Sequence, residues 1–496
     1  MRRTESAPRP ASDAAIAGSK GREEDKEETF TLARHYADLH YDGIPADVCQ
    51  EAKRMLLDTL GCVISAKCTE TGQMVSQLGA ALGAGFFADG TDFLGRSYEI
   101  GRLGNLMDLE EGYAYCHFGA VAVASGMTMA RWQRLSGKEL LSALVVGYEL
   151  AGQIALGIGP EFKVTEGRAN GRLDVWGITA PPVFAAVGAA ARALNLSAEQ
   201  TTQAYGIAAS NMPIPIGGKW TTEVDLPNTK YGDMGWCALT GVFGAVSAMR
   251  GSTAVTSILG GENGLIRIVQ GGDNNSQRFL AHLGSRWHLR SIWYKRWTCC
   301  GWIQYPLAAL ERLMTKHSIG ADDVSEVVVE IASGATVKRF TDTQPQSFIS
   351  LQFSIPHAIS MLLMNVPAGP EWLSAELAQA RAVKTMRERV RVEGYAIPQA
   401  YSYADPFADT DATQGVPSAV RVTTTKGTFR EESDYIWADN HHPKNRIDDS
   451  HIQAKFRGLV GADHADRLVA LVADIERVDD ASVLVDAFYA AMANSR

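Results

Sequence analysis

The chain has 496 residues, of which 46% are hydrophobic and 21% charged, a composition typical of a globular protein with one large core or two moderate ones. Its formal net charge of -9 argues against a nucleic-acid-binding surface, because phosphate binding requires clustered excess Lys and Arg. No apolar run approaches the roughly 20 residues that span a bilayer, so no membrane partner is predicted. The net negative charge does not exclude binding of an anionic small molecule, provided that positive side chains cluster at the binding site.

Seven cysteines are spread along the chain, and only Cys299 and Cys300 are neighbours. The absence of a CxxC motif argues against a zinc ribbon, an iron–sulfur site or a disulfide framework, so we predict reduced thiols in a cytoplasmic protein without a metal. Residues 1–28 lack the apolar segment of a signal peptide, and their acidic run argues against a transit peptide. They are predicted to form a disordered tail.

From Phe30 to about Gly271 the chain is rich in Ala, Leu and Gly and shows helical periodicity. In Val48–Leu57, apolar residues recur at three- and four-residue spacing, and Pro45 stands where a helix begins. The same pattern occurs in Glu139–Ile154, Pro181–Leu194 and Met234–Met249. Helices with few charged positions are buried against other helices. We therefore predict a large helical domain whose first part covers residues 29–285.

The pattern changes after Arg286. Val324–Ile331 alternates as a half-buried strand does, and Ala419–Thr425 and Thr428–Glu432 flank a short turn, which predicts a hairpin. Helical periodicity returns in Ile452–Ala491. The predicted fold class is mainly α with α+β: a discontinuous helical domain, residues 29–285 and 441–496, and a smaller α+β lid domain, residues 286–440. A cleft between two such domains is a common ligand site.

Several segments, in this order, resemble the 2-methylcitrate dehydratase (MmgE/PrpD) family, which also includes cis-aconitate decarboxylase and iminodisuccinate epimerase. The segments are Ile44-Pro45-Ala46-Asp47-Val48, Leu57-Asp58-Thr59-Leu60-Gly61, Lys230 with Gly235-Trp236-Cys237-Ala238 and Gly241, Lys295-Arg296-Trp297-Thr298-Cys299-Cys300-Gly301, and Lys455-Phe456. The resemblance implies a helical domain plus a lid, a homodimer, and no metal or organic cofactor. It also implies loss of water, loss of carbon dioxide or epimerisation next to a carboxylate. Such chemistry needs an acid or base at carbon and cations that stabilise enolate-like charge.

Two candidate catalytic residues come from one short stretch. Asp108 opens Asp108-Leu109-Glu110-Glu111, which resembles the acidic D-x-D-D segment of the family's catalytic cleft; a solvated helix end is the alternative. His117 falls where the family has a catalytic histidine, although Cys116-His117-Phe118-Gly119-Ala120 replaces the usual His-Pro-Ser-Gly. Cys116 is an alternative occupant of this position, and a loop histidine bonded to the backbone is another interpretation.

Two lysines are candidate partners for a carboxylate. Lys230 matches the family's active-site lysine, and the resemblance implies carboxylate binding or acid/base catalysis, which burial favours by lowering a lysine pKa. A surface charge is the alternative, since most lysines are exposed. Lys295, at the start of the lid, is predicted to bind the substrate.

The chain departs from the family at three positions. The family's second histidine falls at Leu173, which cannot transfer a proton. Either Arg172 or Asp174 is predicted to contact the substrate instead, or the step is absent. Gln304 replaces a lid histidine and can bind a carboxylate or hydroxyl but cannot act as a base. His357 stands where the family has a tyrosine and is predicted to supply proton transfer from the opposite wall. A helix-start residue bonded to the backbone is its alternative.

The predicted function is a cofactor-independent lyase that acts on a small polycarboxylate, such as a 2-methylcitrate-like or alkylcitrate-like acid. Dehydration is the first expectation because it is the family's commonest chemistry, and decarboxylation or epimerisation is the alternative. The residues at Leu173 and Gln304 argue against the standard 2-methylcitrate enzyme. They also leave open a non-catalytic homologue that binds a carboxylate or a partner. Convergence of Asp108, His117 and Lys230 with His357 in one cleft would favour catalysis.

Overall fold

The apolar periodicity of the first half of the chain corresponds to packed α-helices. The computed structural model describes residues 19–83, 92–113, 116–159, 162–165, 168–171, 179–213, 220, 223–261, 263–270, 276–332, 336–395, 417–439 and 445–494. The helices of the first part are α1 (Ser19–Ala37), α2 (Ala46–Lys67), α3 (Glu70–Gly83), α4 (Phe93–Leu106), α5 (Gly119–Gln133), α6 (Gly137–Ile158), α7 (Ala180–Ala193), α8 (Ala198–Ser210), α9 (Met234–Met249) and α10 (Leu265–Gln270). Two short strands, β1 (Phe162–Thr165) and β2 (Arg168–Gly171), pair antiparallel.

The second half carries the larger sheet and the remaining helices. Its strands are β3 (Trp293–Tyr294), β4 (Val324–Ala332), β5 (Val390–Tyr395), β6 (Ser418–Thr424), β7 (Gly427–Ser433) and β8 (Ala438–Asp439). Its helices are α11 (Gly301–His317), α12 (Lys338–Thr341), α13 (Phe348–Phe353), α14 (Ile355–Leu363), α15 (Ala375–Gln379), α16 (Arg381–Glu388), α17 (Asp449–Val460), α18 (Ala462–Ala473) and α19 (Ser482–Asn494). The predicted class, a large helical domain with a smaller α+β domain, is confirmed.

Small residues decide how closely the central helices approach. Helix α7 packs against both α6 and α9, and a Cβ added at Gly241 on α9 would lie 2.3 Å from the Cβ of Ala186 on α7. Helix α6 begins with a capping box in which Ser136 and Glu139 satisfy each other's backbone N–H groups. It is long and apolar enough to cross a membrane, but that apolar window is wholly buried inside the protein. Its composition is therefore explained by its place in the core.

The lid is built on a mixed sheet of order β5-β4-β6-β7, in which β4 and β5 are parallel and the other neighbours antiparallel. The predicted strand and hairpin are β4 and β6–β7, with Thr424 paired to Gly427 across the turn. Strands β3 and β8, at the two ends of the lid segment, pair with each other. The backbone of Trp293 also bonds in both directions to Gly112, which ties the lid to the loop after α4.

The C-terminal helices lie against the N-terminal ones, since α17 and α18 pack on α2, and α19 packs on α5 and α2. Arg54 on α2 bonds to Asp449 at the start of α17, and Lys53 lies 2.6 Å from Glu476. Both ends of the chain therefore contribute to one helical body. The boundaries proposed at residues 285/286 and 440/441 stay predictions.

The expectation of a disordered tail over residues 1–28 is wrong for its last part. Helix α1 begins at Ser19, and its buried residues Leu32, Ala33 and Tyr36 anchor it to the core. The Glu, Lys and Arg residues that suggested a disordered tail are also strong helix formers, so a packed C-terminal half allows the helix to extend through them. Residues 1–18 lie outside the described part of the chain.

Candidate active site

The acidic loop, defined here as Asp108–Glu111, follows α4 and lies inside the protein. Asp108 is 1% exposed, and Glu110 and Glu111 are fully buried, so the alternative of a solvated helix end is wrong. Asp108 also has a backbone φ of 56°, which residues other than glycine rarely adopt. Three buried carboxyl groups in four residues need positive partners or protons, because an unpaired buried charge is costly.

Two lysines from different parts of the chain supply positive charge to Asp108. The Lys295 ammonium, from the base of the lid, donates to Asp108 Oδ1 and lies 3.8 Å from Glu110 Oε1. Lys230, from the segment before α9, places its Nζ 3.7 Å from the same Asp108 oxygen and donates to the Asn105 carbonyl. Both lysines are buried, so neither is a surface charge. The cluster thus joins the helical domain to the lid.

The pKa values of these groups follow from burial and from this pairing. Burial alone would raise the pKa of Asp108, but Lys230, Lys295 and His117 together hold it well below its usual range. Burial would lower the pKa of Lys295, yet Asp108 and Glu110 raise it. For Lys230 burial prevails over Asp108 and lowers the pKa. Lys230 is therefore the lysine that releases its proton more readily.

His117 lies beside this cluster in a defined tautomer. Its Nδ1 is 2.8 Å from the Glu111 carbonyl, which can only accept, so Nδ1 carries a proton; Nδ1 is also 3.5 Å from Glu110 Oε1. Burial and the Lys295 charge lower the pKa of His117 to about 4, although Glu110 and Asp108 oppose this. The ring is neutral at pH 7, and Nε2 makes no hydrogen bond within the described part of the chain. Cys116, by contrast, is fully buried and its backbone pairs with Tyr113.

Gln304 forms hydrogen bonds with the backbone of the lid and, among the described residues, none with the acidic loop or its lysines. Its Oε1 accepts from the backbone N–H groups of Arg296 and Trp297, and its Nε2 donates to the Trp297 and Cys299 carbonyls. The side chain is fully buried. Because these bonds occupy the amide, the structure does not place Gln304 as a substrate contact. It shapes the turn that follows Lys295.

His357 is not brought to the cluster, so the expected compensating histidine is misplaced. Its backbone N–H bonds to Ser354 at the start of α14, and its Nε2 lies 2.7 Å from the Trp372 carbonyl. Burial lowers its pKa to about 4. The ring points into the lid interior, which matches the alternative of a helix-start residue bonded to the backbone. Sequence position alone does not fix that direction.

Two further glutamates belong to the site, and the sequence marked them only as members of a carboxylate cluster. Glu110 accepts from Asn105 Nδ2 at 2.5 Å. Glu111 accepts from the Gly119 N–H at 2.6 Å, at the start of α5, and from the Tyr148 hydroxyl at 3.2 Å. Burial, Glu110 and Asp58 raise the pKa of Glu111 to about 8 despite these donors. Glu111 is therefore largely protonated at pH 7.

Arg172 and Asp174, predicted to contact the substrate, lie outside the described residues, as does Leu173. Their roles stay predictions. Within the described part of the chain, the structure brings together four of the predicted residues, Asp108, His117, Lys230 and Lys295.

Comparison with known proteins identifies the family of the chain. A model of the MmgE/PrpD N-terminal domain matches residues 31–278, and one of the MmgE/PrpD C-terminal domain matches residues 297–477. The chain belongs to the MmgE/PrpD family. This family member is 23% identical over 383 residues to a cis-aconitate decarboxylase of Aspergillus terreus, a match that covers 68% of this chain and 72% of the relative. It is 24% identical over 317 residues to the cis-aconitate decarboxylase-like protein oryM of Aspergillus oryzae, covering 58% and 62%.

The same cluster offers a potential metal-binding set in this MmgE/PrpD protein. Ligand atoms of Asp108, Glu110 and His117 lie within 4.8 Å of one another. Lys295 already stands against both carboxylates, so its ammonium occupies the place that a cation would take. A divalent ion would have to displace this ammonium and remove the proton from His117 Nδ1 or turn the ring. These contacts support the prediction of a metal-free site.

We predict that chelation leaves the activity of this MmgE/PrpD protein unchanged, because Lys295 neutralises the carboxylates that a metal would need. The measurement is turnover before and after dialysis against EDTA, with added Mg²⁺, Mn²⁺ and Zn²⁺ in separate samples. Loss of turnover in EDTA that one ion restores would contradict the prediction.

A second prediction concerns Glu111 and the pH dependence of stability. Its pKa is about 8 in the folded protein against an ordinary 4.5. A raised folded-state pKa means that its contribution is complete below about pH 4.5 and is lost as the pH rises through 8. In Glu111→Gln the amide oxygen can accept from the Gly119 N–H and the amide NH2 can donate to the Tyr148 oxygen. Because this side chain does not ionise, the substitution should flatten the decline of stability over this range.

The wild-type slope from this group is at most about 1.4 kcal/mol per pH unit. The measurement is the free energy of unfolding by urea at pH 5, 6, 7 and 8 for both proteins. Glu149, whose pKa burial raises to about 7, titrates in both and cancels in the difference. Parallel curves for the two proteins would show that Glu111 does not titrate in this window.

Proposed function

We propose that this chain is a lyase that acts on a small polycarboxylate, without a cofactor, at the cluster of Asp108, His117, Lys230 and Lys295. The observation that carries the proposal is the meeting of two buried lysines on one carboxylate beside a neutral histidine. Buried cations interact more strongly with an anion than exposed ones, because less water screens them. A chain of net charge -9 thereby gains a local site for a polyanion.

Asp108 keeps both lysines ready for a substrate carboxylate. Its ionised carboxyl group contacts Lys295 and lies within 4 Å of Lys230, so it orients both ammonium groups before substrate arrives. A lysine is a compact point charge that suits a carboxylate. Lys230 and Lys295 are thus the proposed anchors for substrate carboxylates and for the enolate-like charge that develops beside one of them.

His117 is the proposed base for dehydration. Its Nε2 lone pair takes the proton from the carbon next to a substrate carboxylate, and the C–H electron pair moves into that carboxylate as an enolate. The pair then forms the C=C bond as the C–O bond to the hydroxyl group breaks. The leaving oxygen takes a proton from the Lys230 ammonium and departs as water. The lowered pKa of Lys230 favours this transfer.

Decarboxylation is the second candidate, and the names of the relatives favour it, since both are described as cis-aconitate decarboxylase or a protein like it. The same lysines would hold the remaining carboxylates while the C–C bond to one of them breaks. The electron pair left on carbon would take a proton from Lys230, and carbon dioxide would leave. This chemistry requires an acid at carbon, whereas the neutral state of His117 is the one that a base requires.

A non-catalytic carboxylate-binding homologue is the remaining alternative. Asp108, His117 and Lys230 converge, whereas His357, the fourth residue of the expected set, does not. The three that meet still support catalysis, because binding alone does not require a neutral imidazole beside the cations. The experiment is incubation of the purified protein with citrate-like, alkylcitrate-like and aconitate-like acids, read by mass spectrometry. A loss of about 18 Da, the mass of water, indicates dehydration, and a loss of about 44 Da, the mass of carbon dioxide, indicates decarboxylation. Binding of an acid without conversion would overturn the proposal.

We predict that His117→Ala lowers kcat by about two to four orders of magnitude, the usual effect of removing a general acid or base. Lys230→Met should weaken substrate binding and also lower kcat, because it removes both a carboxylate anchor and the proposed proton donor. His357→Phe is the control, since this ring lies in the lid interior. It should lower thermal stability but leave kcat within about tenfold. Near-normal turnover in His117→Ala would remove the histidine from the mechanism.

We also propose that the protein forms a homodimer through α9. This helix contains no charged residue, and Trp236 and Phe243 on one of its faces are 44% and 46% exposed. Leu239 and Val246 lie between and beyond them at helical spacing and are half-buried. An exposed apolar stripe of this kind is typical of a protein interface. A second copy can cover it symmetrically, as most soluble oligomers do.

Replacement of both Trp236 and Phe243 by Glu should convert the dimer to a monomer, because two buried charges would then face each other across the interface. Light scattering at micromolar concentration measures the mass. Val483→Glu is the matched control, since Val483 is 47% exposed but lies on α19. A monomeric wild-type protein, or a dimer in the double variant, would contradict an interface on α9.

A cytoplasmic location also belongs to the proposal. The seven cysteines all lie among the described residues, and no disulfide joins any of them, which fits a reducing compartment.

A further inference from the structure

One buried lysine outside the proposed reaction makes contact with the acidic loop. Lys455, on α17 near the C-terminus, donates to Asp58 Oδ1 at 2.5 Å and to the carbonyl of Leu109 at 2.8 Å. Its side chain is 9% exposed and that of Asp58 is fully buried. Leu109 is the residue between Asp108 and Glu110, so Lys455 forms a hydrogen bond to the backbone in the middle of the acidic loop.

The conformation of the loop explains why it needs such a restraint. Asp108 has a φ of 56°, in the left-handed region, which residues other than glycine adopt infrequently. Lys230 bonds to the Asn105 carbonyl on one side of it, and Lys455 bonds to the Leu109 carbonyl on the other. Strained residues persist only where their surroundings hold them. Without the second bond, Asp108 is free to relax toward an ordinary φ, and its carboxyl group moves with it.

We propose that Lys455 is a positioning residue: by holding the Leu109 carbonyl it keeps Asp108 in the left-handed conformation that aims its carboxylate at Lys295. Asp58 orients the Lys455 ammonium through a buried ion pair. Two segments from opposite ends of the chain, on α2 and α17, thus act on the site without touching the substrate. The effect on turnover rests on the proposed function, whereas the effect on the loop does not.

The chain provides a matched control for a merely structural role. Lys53 lies on α2, the helix that carries Asp58. Its Nζ is 2.6 Å from the Glu476 carboxylate and donates to the Ala473 carbonyl at 3.0 Å. It therefore joins α2 to the C-terminal segment with the same two kinds of bond as Lys455, and its side chain is similarly buried at 10% exposure. Its bonds do not include the acidic loop. Lys53→Met and Lys455→Met thus remove the same two kinds of bond at different places, although Glu476 is 23% exposed and Asp58 is fully buried.

The experiment compares these variants with the full-length wild type by hydrogen exchange and by kinetics. Both variants should lose thermal stability, but only Lys455→Met should speed amide exchange in residues 105–113, by about tenfold or more. On the acid that the wild type converts, kcat should fall about tenfold or more in Lys455→Met, and KM should rise with it, because a displaced Asp108 no longer orients Lys230 and Lys295. Lys455→Arg, which keeps a donor, should recover part of the loss.

The outcomes separate this inference from the proposed function. Unchanged exchange in residues 105–113 of Lys455→Met would overturn the positioning role, and so would an equal loss of kcat in Lys53→Met. If the wild type converts no polycarboxylate, the proposed function fails and the exchange comparison still decides about Lys455. Should Lys455→Met not fold, Asp58→Asn provides the same test, since it removes the charge that orients Lys455 while keeping the size of the side chain. It should raise exchange in the same residues.

Discussion

The buried contact between Asp108 and Lys295 is the interaction on which the rest of the site depends. A carboxylate and an ammonium that lie out of water are stable only as a pair, because removing either leaves an uncompensated charge in a medium of low polarity. The contact joins a loop of the helical domain to the first strand segment of the lid. Neither domain alone can therefore hold the site in this form. Lys230 and Glu110 extend the pair into a network that sets the proton affinities of the groups around it.

The sequence was sufficient to predict that Asp108, Lys230 and Lys295 belong to one site. They stand on segments that match the family pattern, and the structure brings all three together. The mixed sheet and its hairpin were predictable because alternating burial leaves a period of two in β4 and β6. A buried ion pair leaves no such periodic trace, so the partners of the lysines became visible only in the structure.

Gln304 and His357 show where that reasoning stops. Each stands at a family position associated with chemistry, but the side chain can turn toward the site or toward the backbone. The unpaired N–H and carbonyl groups of the lid turn attract the Gln304 amide, and the Trp372 carbonyl attracts the His357 ring. These partners lie only 5 to 15 positions away along the chain, but the sequence does not show which backbone groups need a side-chain partner. For Lys455 the difficulty is distance along the chain, since its contact with the loop joins residues 346 positions apart.

The packing of α17 and α18 on α2 has a consequence for the order in which the protein is made. A ribosome releases the acidic loop within the first quarter of the chain, yet Lys455, which holds the Leu109 carbonyl, emerges only near the end of synthesis. Domains generally fold as they emerge. Here, however, the helical domain lacks part of its own core until the lid has been synthesised. Apolar faces of the N-terminal helices therefore stay exposed to solvent during synthesis until the last segment of the same chain packs against them.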